Sequence, residues 1–402
     1  MFKSLEKPIK VSKTTRIIGS LEGKTKGPTV VFFGGIHGNE PAGIIALEKV
    51  FSRLYKAKLE IKGGVFGIRG NIPALLQKKR YLQKDLNRLW SSEQIAKIEK
   101  KERSNLCSEE IELLEIKQII VELLQTQSAP FYFIDFHTTS SKTLPFITIN
   151  DALINRKFSQ QFPVPLILGI EEYLEGPLLS RMNQLGYISM GFESGQHEEP
   201  EAIENSIAFF WLTLVFTGIL NKEQVSDYEL QFELLTKSAR KNADFYQVAY
   251  RHILNSKDEF SMLPGFKSFQ KVVKGTNLAL QNQKEIRAKK TAILFMPLYQ
   301  EQGAEGFFLI KKIPKVALNL SIIMRRTRLE RFLVLLPGIS WDSPKKQALF
   351  VNLSIARFFT KPFFHLLGYR SQERDKTHIL MHNRELTAKN DMYRNEPWQK
   401  DQ

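Results

Sequence analysis

A histidine and a glutamate stand close together in the stretch VVFFGGIHGNEPAGIIALEKVF, directly after a run of apolar residues. The apolar run is typical of a buried strand, and the segment after Pro41 has the spacing of an amphipathic helix. His37 and Glu40 therefore fall at the carboxyl end of a strand, which is where open α/β sheets bind ligands. Because imidazole nitrogens and carboxylate oxygens are good Zn²⁺ ligands, this loop predicts part of a metal site.

A third ligand is predicted at the end of another strand, in FYFIDFHTTSS. His137 follows the apolar residues of this strand, and a catalytic zinc requires three protein ligands and one open position. Asp135 is a candidate for supporting His137, although alternation along the strand leaves its direction open. The pattern differs from HExxH, in which both histidines lie on one helix, because here the ligands come from separate strand ends.

Strand-like and helix-like segments alternate up to about residue 200, which predicts an α/β architecture with a parallel or mixed sheet flanked by helices. Short strand-like runs between 260 and 313 predict a small β domain. In the basic tail, Ser343 and Pro344 predict the start of a helix that ends before Pro362. We therefore divide the chain into a first domain that holds the metal site, a small β domain that covers it, and a basic helical extension: 1–258, 259–315 and 316–402.

Composition and charge restrict the compartment and the class of partner. The chain of 402 residues has one cysteine and a formal net charge of +16. A single cysteine, Cys107, excludes an internal disulfide framework and suits a reducing cytoplasm. No secretory signal begins the chain, and no stretch has the ~20 apolar residues of a membrane span. Since the positive charge is diffuse, we expect a small anionic substrate and no nucleic acid. Membrane contact through the tail and homo-oligomer formation stay open.

Four motifs in this order resemble the succinylglutamate desuccinylase/aspartoacylase family: GGIHGNEPAG, KRYLQKDLNR, IDFHTTSS and GFESGQH. The R-Y-x-x-x-D-L-N-R element is the most specific of them, and the resemblance covers roughly residues 28–313. It implies a zinc carboxypeptidase-like mixed sheet flanked by helices, with the small β domain next to the site. The tail is not explained by this resemblance.

The resemblance also implies a role for each matching residue. Arg80 matches an arginine that polarises the scissile carbonyl, and Glu193 matches the glutamate that acts as general base and then as general acid. Asn87 and Arg88 match the pair that holds a substrate carboxylate, which a planar guanidinium binds through two hydrogen bonds. One Zn²⁺ per chain is implied, with three matching ligands: His37, Glu40 and His137.

Substrate identity is less well defined by the sequence. The family's enzymes use a further arginine shortly before the catalytic glutamate, and Arg181 is the nearest candidate, with a spacing that does not match. They also use a tyrosine from the β domain, for which Tyr299 is the match. The segment SGQHEEPEAIENS after Glu193 differs from both named enzymes, and His197 within it either shapes the site or faces solvent.

Three hypotheses follow from these residues. The first is a zinc-dependent hydrolase that cleaves the amide bond of an N-acylated acidic amino acid or a related small carboxylate. The second keeps the metal in a metallocarboxypeptidase or peptide amidase, which an open cleft would favour. The third is a non-catalytic scaffold on the same fold. Other templates are not found, since the chain has no G-x-S-x-G elbow and no G-x-G-x-x-G loop.

Overall fold

The structure, a computed structural model, describes residues 15–327, 329–342, 348–356, 366–373 and 377–400. Its strands are β1 (Ile17–Glu22), β2 (Thr25–Gly34), β3 (Lys62–Arg69), β4 (Phe131–Thr139), β5 (Phe146–Ile149), β6 (Leu166–Leu168), β7 (Ile188–Gln196), β8 (Phe245–Ile253), β9 (Phe260–Met262), β10 (Gln270–Val272), β11 (Asn277–Gln281), β12 (Lys284–Arg287), β13 (Ala292–Phe295), β14 (Glu305–Lys312), β15 (Ile339–Trp341), β16 (Ala348–Asn352), β17 (Tyr369–Glu373) and β18 (His378–Asn383). Its α-helices are α1 (Ala42–Ala57), α2 (Ile72–Gln77), α3 (Ser92–Glu99), α4 (Ser108–Thr126), α5 (Leu153–Ser159), α6 (Leu178–Gln184), α7 (Pro200–Phe216), α8 (Tyr228–Ser238), α9 (Lys315–Arg326) and α10 (Pro397–Lys400).

An 11-stranded mixed sheet forms the centre of the molecule, in the order β1-β3-β2-β4-β7-β5-β6-β8-β14-β13-β10. Strands β3, β2, β4 and β7 run parallel, so their carboxyl ends meet at one edge. Most residues of these parallel strands are buried because both faces of the sheet are covered there. This arrangement confirms the predicted α/β fold with a mixed sheet flanked by helices.

Helices cover the central sheet on both faces, and alternate residues of β2 contribute to the two resulting cores. Val30 and Phe32 pack with α1 and α7, whereas Val31 and Phe33 pack with α3, α4 and α6. Phe209 of α7 lies in the first core with its ring centroid 4.0 Å from that of Phe192 and 4.2 Å from that of Phe162. The strand ends are thus fixed from two sides, which limits the movement of any loop that follows them.

The predicted small β domain is continuous with the central sheet. Strand β14 pairs with β8, β13 pairs with β14, and β10 pairs with β13. Only β9, β11 and β12 form a separate three-stranded sheet. The loop between β13 and β14 is therefore attached to the same sheet as the strands that carry the predicted metal ligands.

The C-terminal extension contains a sheet as well as helices. Strands β15, β16, β18 and β17 form a four-stranded antiparallel sheet around a core that includes Leu349 and Val351. The helix predicted from Ser343 is wrong at β16, where alternate burial of Leu349 and Val351 outweighs the capping signal. Ser343, Pro344 and Pro362 themselves lie outside the described residues. Among the residues described, none of the helices combines the length and the apolar character that a bilayer crossing requires.

The end of the extension is anchored in the core of the first domain. Tyr393 is fully buried, and its hydroxyl donates a hydrogen bond to the carbonyl of Phe131 and accepts one from the N–H of Ile188 at 2.9 Å. These contacts join the extension to β4 and β7, the two strands that end at the predicted site. The end of the extension is therefore packed against the first domain.

Replacing Tyr393 with Phe should lower the free energy of unfolding by about 2 kcal/mol, because two buried backbone groups lose their partner. Tyr55→Phe is the matched control: its hydroxyl bonds the N–H and the carbonyl of Ser20, but its side chain is 38% exposed, so water replaces both bonds. Urea unfolding of the two variants measures the difference. Equal losses in both variants would contradict the anchoring role of Tyr393.

Candidate metal centre and catalytic cavity

His37, Glu40 and His137 converge at the carboxyl edge of the sheet. One candidate ligand atom from each lies within 4.8 Å of the others, and all three side chains are buried. The Nδ1 atom of His37 is 2.9 Å from Glu40 Oε1, and the Nδ1 atom of His137 is 2.9 Å from Glu40 Oε2. His37 and Glu40 sit in the tight loop between β2 and α1, and His137 lies near the end of β4. The three predicted metal ligands are thus brought together.

Each imidazole is held on its other side by an aspartate. The Nε2 atom of His37 lies 3.0 Å from Asp85 Oδ1, and the Nε2 atom of His137 lies 2.7 Å from Asp135 Oδ2. Such carboxylate partners fix the orientation of metal-binding histidines and increase their basicity. The donor set and its supporting carboxylates therefore fit a divalent cation such as Zn²⁺.

Charge within this cluster shifts the pKa values of its members in opposite directions. Burial alone would raise the pKa of the Glu40 carboxyl, but His37 and His137 hold it well below its usual value. Burial would lower the pKa of His137, whereas Asp135 and Glu40 raise it well above the usual value. The cluster thus favours an ionised carboxylate at its centre.

Arg80 and Asp85 form the wall of the cluster. The Nη1 atom of Arg80 donates to Glu40 Oε1 at 3.2 Å, and its Nη2 atom donates to Asp85 Oδ2 at 3.4 Å. Asp85 also accepts from the N–H of Asn87 at 2.9 Å, which caps the short helical turn Leu86–Arg88. Asp85 thus connects His37, Arg80 and the N–H of Asn87 through hydrogen bonds.

Asn87 and Arg88 both line the cavity next to the metal ligands. Asn87 accepts from the N–H of Leu178 at 3.0 Å, so its side chain is fixed by the start of α6. The Nη2 atom of Arg88 lies 3.5 Å from Oε2 of Glu305, a carboxylate from β14. Glu305 also faces Arg251 at 3.8 Å. No local sequence pattern indicates Glu305, because its approach depends on how β14 pairs with β8.

Glu193 lies on β7 opposite His137 in the parallel register with β4. It is buried, and its Oε2 atom has no hydrogen-bond partner among the described residues. Burial raises the pKa of Glu193 to about 8; the charge of His137 opposes this shift and that of Glu40 adds to it. A carboxylate with a raised pKa beside a metal-ligand cluster is suited to accept and return a proton.

A loop of the β domain covers the catalytic end of the cavity. Gln300 accepts from Asn39 Nδ2 at 2.8 Å and lies 3.0 Å from the Nε2 atom of His197. Gln302 bonds both backbone groups of Tyr81. His197, left open by the sequence, thus lies in the cavity wall, and burial lowers its pKa. Gln300 and Gln302 were not found from the sequence because their motif-free loop carries no local signal.

Arg181 and Tyr299 are not brought to the cavity. Arg181 points along the surface from α6 and donates to Ser92 Oγ at 2.7 Å. The hydroxyl of Tyr299 donates to the carbonyl of Leu263 and accepts from the N–H of Phe266. Neither residue is among those that line the cavity. The expected substrate contacts of Arg181 and Tyr299 are therefore not supported by these positions, since each side chain is engaged elsewhere.

Curated relatives match short parts of the chain. The succinylglutamate desuccinylase of Photorhabdus laumondii is 42% identical over 62 residues, which are 15% of this chain and 19% of that protein. The succinylglutamate desuccinylase of Pseudomonas fluorescens is 25% identical over 117 residues, 29% of this chain and 33% of that protein. The chain thus spans about a fifth to a third of the length of these relatives.

Solved structures resemble the chain over a larger part. A succinylglutamate desuccinylase/aspartoacylase from Rhodobacter sphaeroides has a TM-score of 0.54 at 15% identity and covers 73% of this chain and 88% of its own. The product-bound ectoine utilization protein EutE (DoeB) from Ruegeria pomeroyi has a TM-score of 0.52 at 16% identity, with the same coverage. At these identities the likeness shows the fold.

The segment that builds the site also matches a family description. Residues 26–206 match the succinylglutamate desuccinylase/aspartoacylase catalytic domain. This segment runs from β2 to α7 and contains His37, Glu40, Arg80, His137 and Glu193. Through this segment, the chain is similar to the catalytic domain of the succinylglutamate desuccinylase/aspartoacylase family.

Proposed function

We propose that the protein is a metal-dependent amidohydrolase that cleaves the amide bond of a small N-acyl amino acid. The observation that carries this proposal is the convergence of the ligand group with Glu193 in one cavity. The family and the names of the relatives support an acylated amino acid as the substrate class.

The ion would be held by His37, Glu40 and His137, for which Zn²⁺ is the favoured ion and cobalt or manganese are alternatives. When bound, it supplies a Lewis acid that polarises a carbonyl and water, and its charge lowers the pKa of nearby carboxyls. Asp85 and Asp135 keep the imidazoles in position from behind.

The remaining steps belong to side chains of the cavity. Glu193 takes a proton from the attacking water and returns it to the nitrogen of the leaving amine. Arg80 donates hydrogen bonds to the oxygen on which negative charge develops. Arg88 and Asn87 hold the carboxylate of the amino acid. This carboxylate must compete with Glu305 for the guanidinium group of Arg88.

The covered cavity favours a small substrate over a peptide. Residues from the loop between β13 and β14 line the wall: Met296, Pro297, Leu298, Gln300 and Gly303. A metallocarboxypeptidase would need an open path for the rest of the peptide. The scaffold alternative lacks support, because the ligand group and Glu193 are all present. We also propose a reducing compartment such as the cytoplasm, which the single Cys107 suits.

Glu193→Gln should lower kcat by about 10²–10⁴-fold, because the proton acceptor is removed. The metal content should remain that of the wild type, since Glu193 is outside the ligand group. Steady-state hydrolysis of N-acyl amino acids and metal analysis of the same samples measure both effects.

Glu198→Gln is the matched control, since Glu198 is an exposed acid in the same segment. It should leave kcat unchanged. A Glu193→Gln enzyme with full activity would contradict the proposed base. If the metal-loaded wild type hydrolyses neither N-acyl amino acids nor C-terminal peptides, both enzyme hypotheses are wrong and the non-catalytic scaffold remains.

Asp135→Asn should weaken metal binding by about 10- to 100-fold, because the partner that orients His137 is altered. Calorimetric titration of the metal-stripped protein with Zn²⁺ measures the affinity. Asp391→Asn serves as the control, because the Asp391 side chain is 89% exposed. Unchanged affinity in Asp135→Asn would show that this carboxylate does not support the site.

A further inference from the structure

The cavity continues well beyond the catalytic residues. Strand β5 pairs antiparallel with β7 so that Phe146 faces Glu193 and Ile149 faces Met190. At about 3.4 Å per residue, Asn150 after β5 lies roughly 14 Å along the strand from the level of Glu193. Asn150 lines the same cavity as Glu193. The cavity can thus hold an extended chain.

The walls of this distal part combine apolar side chains, small polar side chains and one carboxylate. The apolar lining residues include Ile149, Ile170, Leu174, Pro177, Leu179 and Phe308. Glu171, in the short turn Ile170–Glu172 after β6, also lines the cavity. Among the described lining residues, Arg80 and Arg88 are the Lys or Arg side chains, and both belong to the catalytic end. The distal part therefore lacks a described Lys or Arg that would bind a second carboxylate.

One oxygen of the Glu171 carboxylate has no hydrogen-bond partner in the part of the chain that the structure describes. The Oε1 atom accepts from Arg384 Nη2 at 2.8 Å and from the N–H of Asp151 at 3.4 Å. The Oε2 atom is buried without a hydrogen bond among the described residues, and the residue is only 2% exposed. A buried carboxylate oxygen without a donor costs free energy, so a donor from a ligand would remove an unfavourable feature.

The position of Glu171 is set by the C-terminal extension. Arg384 follows β18, and its Nη2 atom also bonds Glu172 at 2.6 Å. Arg370 of β17 donates to the main-chain carbonyl of Glu171 at 2.7 Å. Two residues of the extension thus hold the turn that carries this carboxylate.

The carboxylate of Glu171 lines the distal part of the cavity and has one oxygen without a hydrogen-bond partner among the described residues. We infer that Glu171 selects substrates whose aliphatic chain ends in an amine. The inference rests on the proposed amide hydrolysis. The amine donates to Glu171 Oε2, and the aliphatic part contacts the apolar walls. Ammonium groups form the stronger hydrogen bonds with carboxylates, which favours a charged amine. The preferred substrate is then basic at its distal end, in contrast to the acidic amino acid expected from the sequence.

A substrate panel tests this inference in the metal-loaded full-length protein. Nα-acetylornithine and Nα-acetyllysine are compared with the methyl-ended Nα-acetylnorvaline and Nα-acetylnorleucine, and with the carboxylate-ended Nα-acetylglutamate. In a second series the aliphatic chain belongs to the acyl group, and amides of an aminobutyryl group are compared with amides of a butyryl group. In one of the two series, kcat/KM should be about 10- to 100-fold higher for the amine-ended member.

Two variants separate selection from structure. Glu171→Gln should abolish the preference for the amine, whereas Glu172→Gln should retain it, because both carboxylates pair with Arg384 but only Glu171 lines the cavity. The change should appear mainly in KM. If Glu171 has only a structural role, both substitutions should lower the melting temperature, and both should lower the turnover of all substrates to the same extent.

Failure of this inference differs from failure of the proposed function. Hydrolysis that prefers methyl-ended or carboxylate-ended members, or an amine preference that survives Glu171→Gln, overturns the role of Glu171 and leaves the amidohydrolase intact. If no member is hydrolysed, direct calorimetric binding of the amine-ended and methyl-ended members still decides the inference, since equal affinities would overturn it.

Discussion

The carboxylate of Glu40 is the interaction on which the site depends. Its Oε1 atom meets His37 and Arg80, and its Oε2 atom meets His137 and the N–H of Thr138 at 3.0 Å. These groups come from three separate parts of the chain. Burying an ionised carboxylate is costly unless its charge is paired, so Glu40 favours an arrangement in which the loop after β2, the 80–88 segment and the end of β4 meet at one point.

Glycine makes this meeting of segments sterically feasible. A Cβ atom on Gly38 would lie 2.2 Å from the carbonyl carbon of Ala74 and 2.4 Å from the carbonyl oxygen of Lys79. With no side chain there, the N–H of Gly38 donates to the carbonyl of Arg80 at 3.1 Å. The close approach brings Arg80 next to Glu40. The glycine and the glutamate of the same loop therefore have linked roles, one steric and one electrostatic.

The grouping of the three candidate metal ligands was predictable because their sequence signals are local. His37 and His137 follow apolar strands, and parallel strands end at the same edge of a sheet, so two such residues become neighbours. Glu193 was predictable for the same reason, because it lies near the end of β7 and is paired in register with His137 of β4. Arg181 and Tyr299 lacked such a constraint, since the direction of a helical or loop side chain depends on packing that the sequence pattern does not specify.

The C-terminal extension shows a second limit of the sequence patterns. Its strand β16 lies inside a predicted helix, because the cap signal at Ser343 is local whereas the partners of β16 lie on β15 and β18. The packing of the extension against the first domain was also not predicted from the sequence. Tyr393 and Trp398 join the aromatic core that contains Tyr132 and Phe158, although no motif near them indicates this contact.

Buried charges determine how the extension meets the cavity. Arg325 of α9 is fully buried and pairs with Asp151 and Glu385 at 2.8 Å each. Burial would raise the pKa of Asp151, but Arg156 and Arg325 lower it far below its usual range. Buried ion pairs contribute little net stability compared with apolar packing, yet the loss of one partner is costly. The network therefore holds Asp151 from the side of the extension, next to Asn150 in the cavity wall. Arg325 and Arg384 thus tie the extension, which the family resemblance leaves unexplained, to the segment that lines the distal part of the cavity.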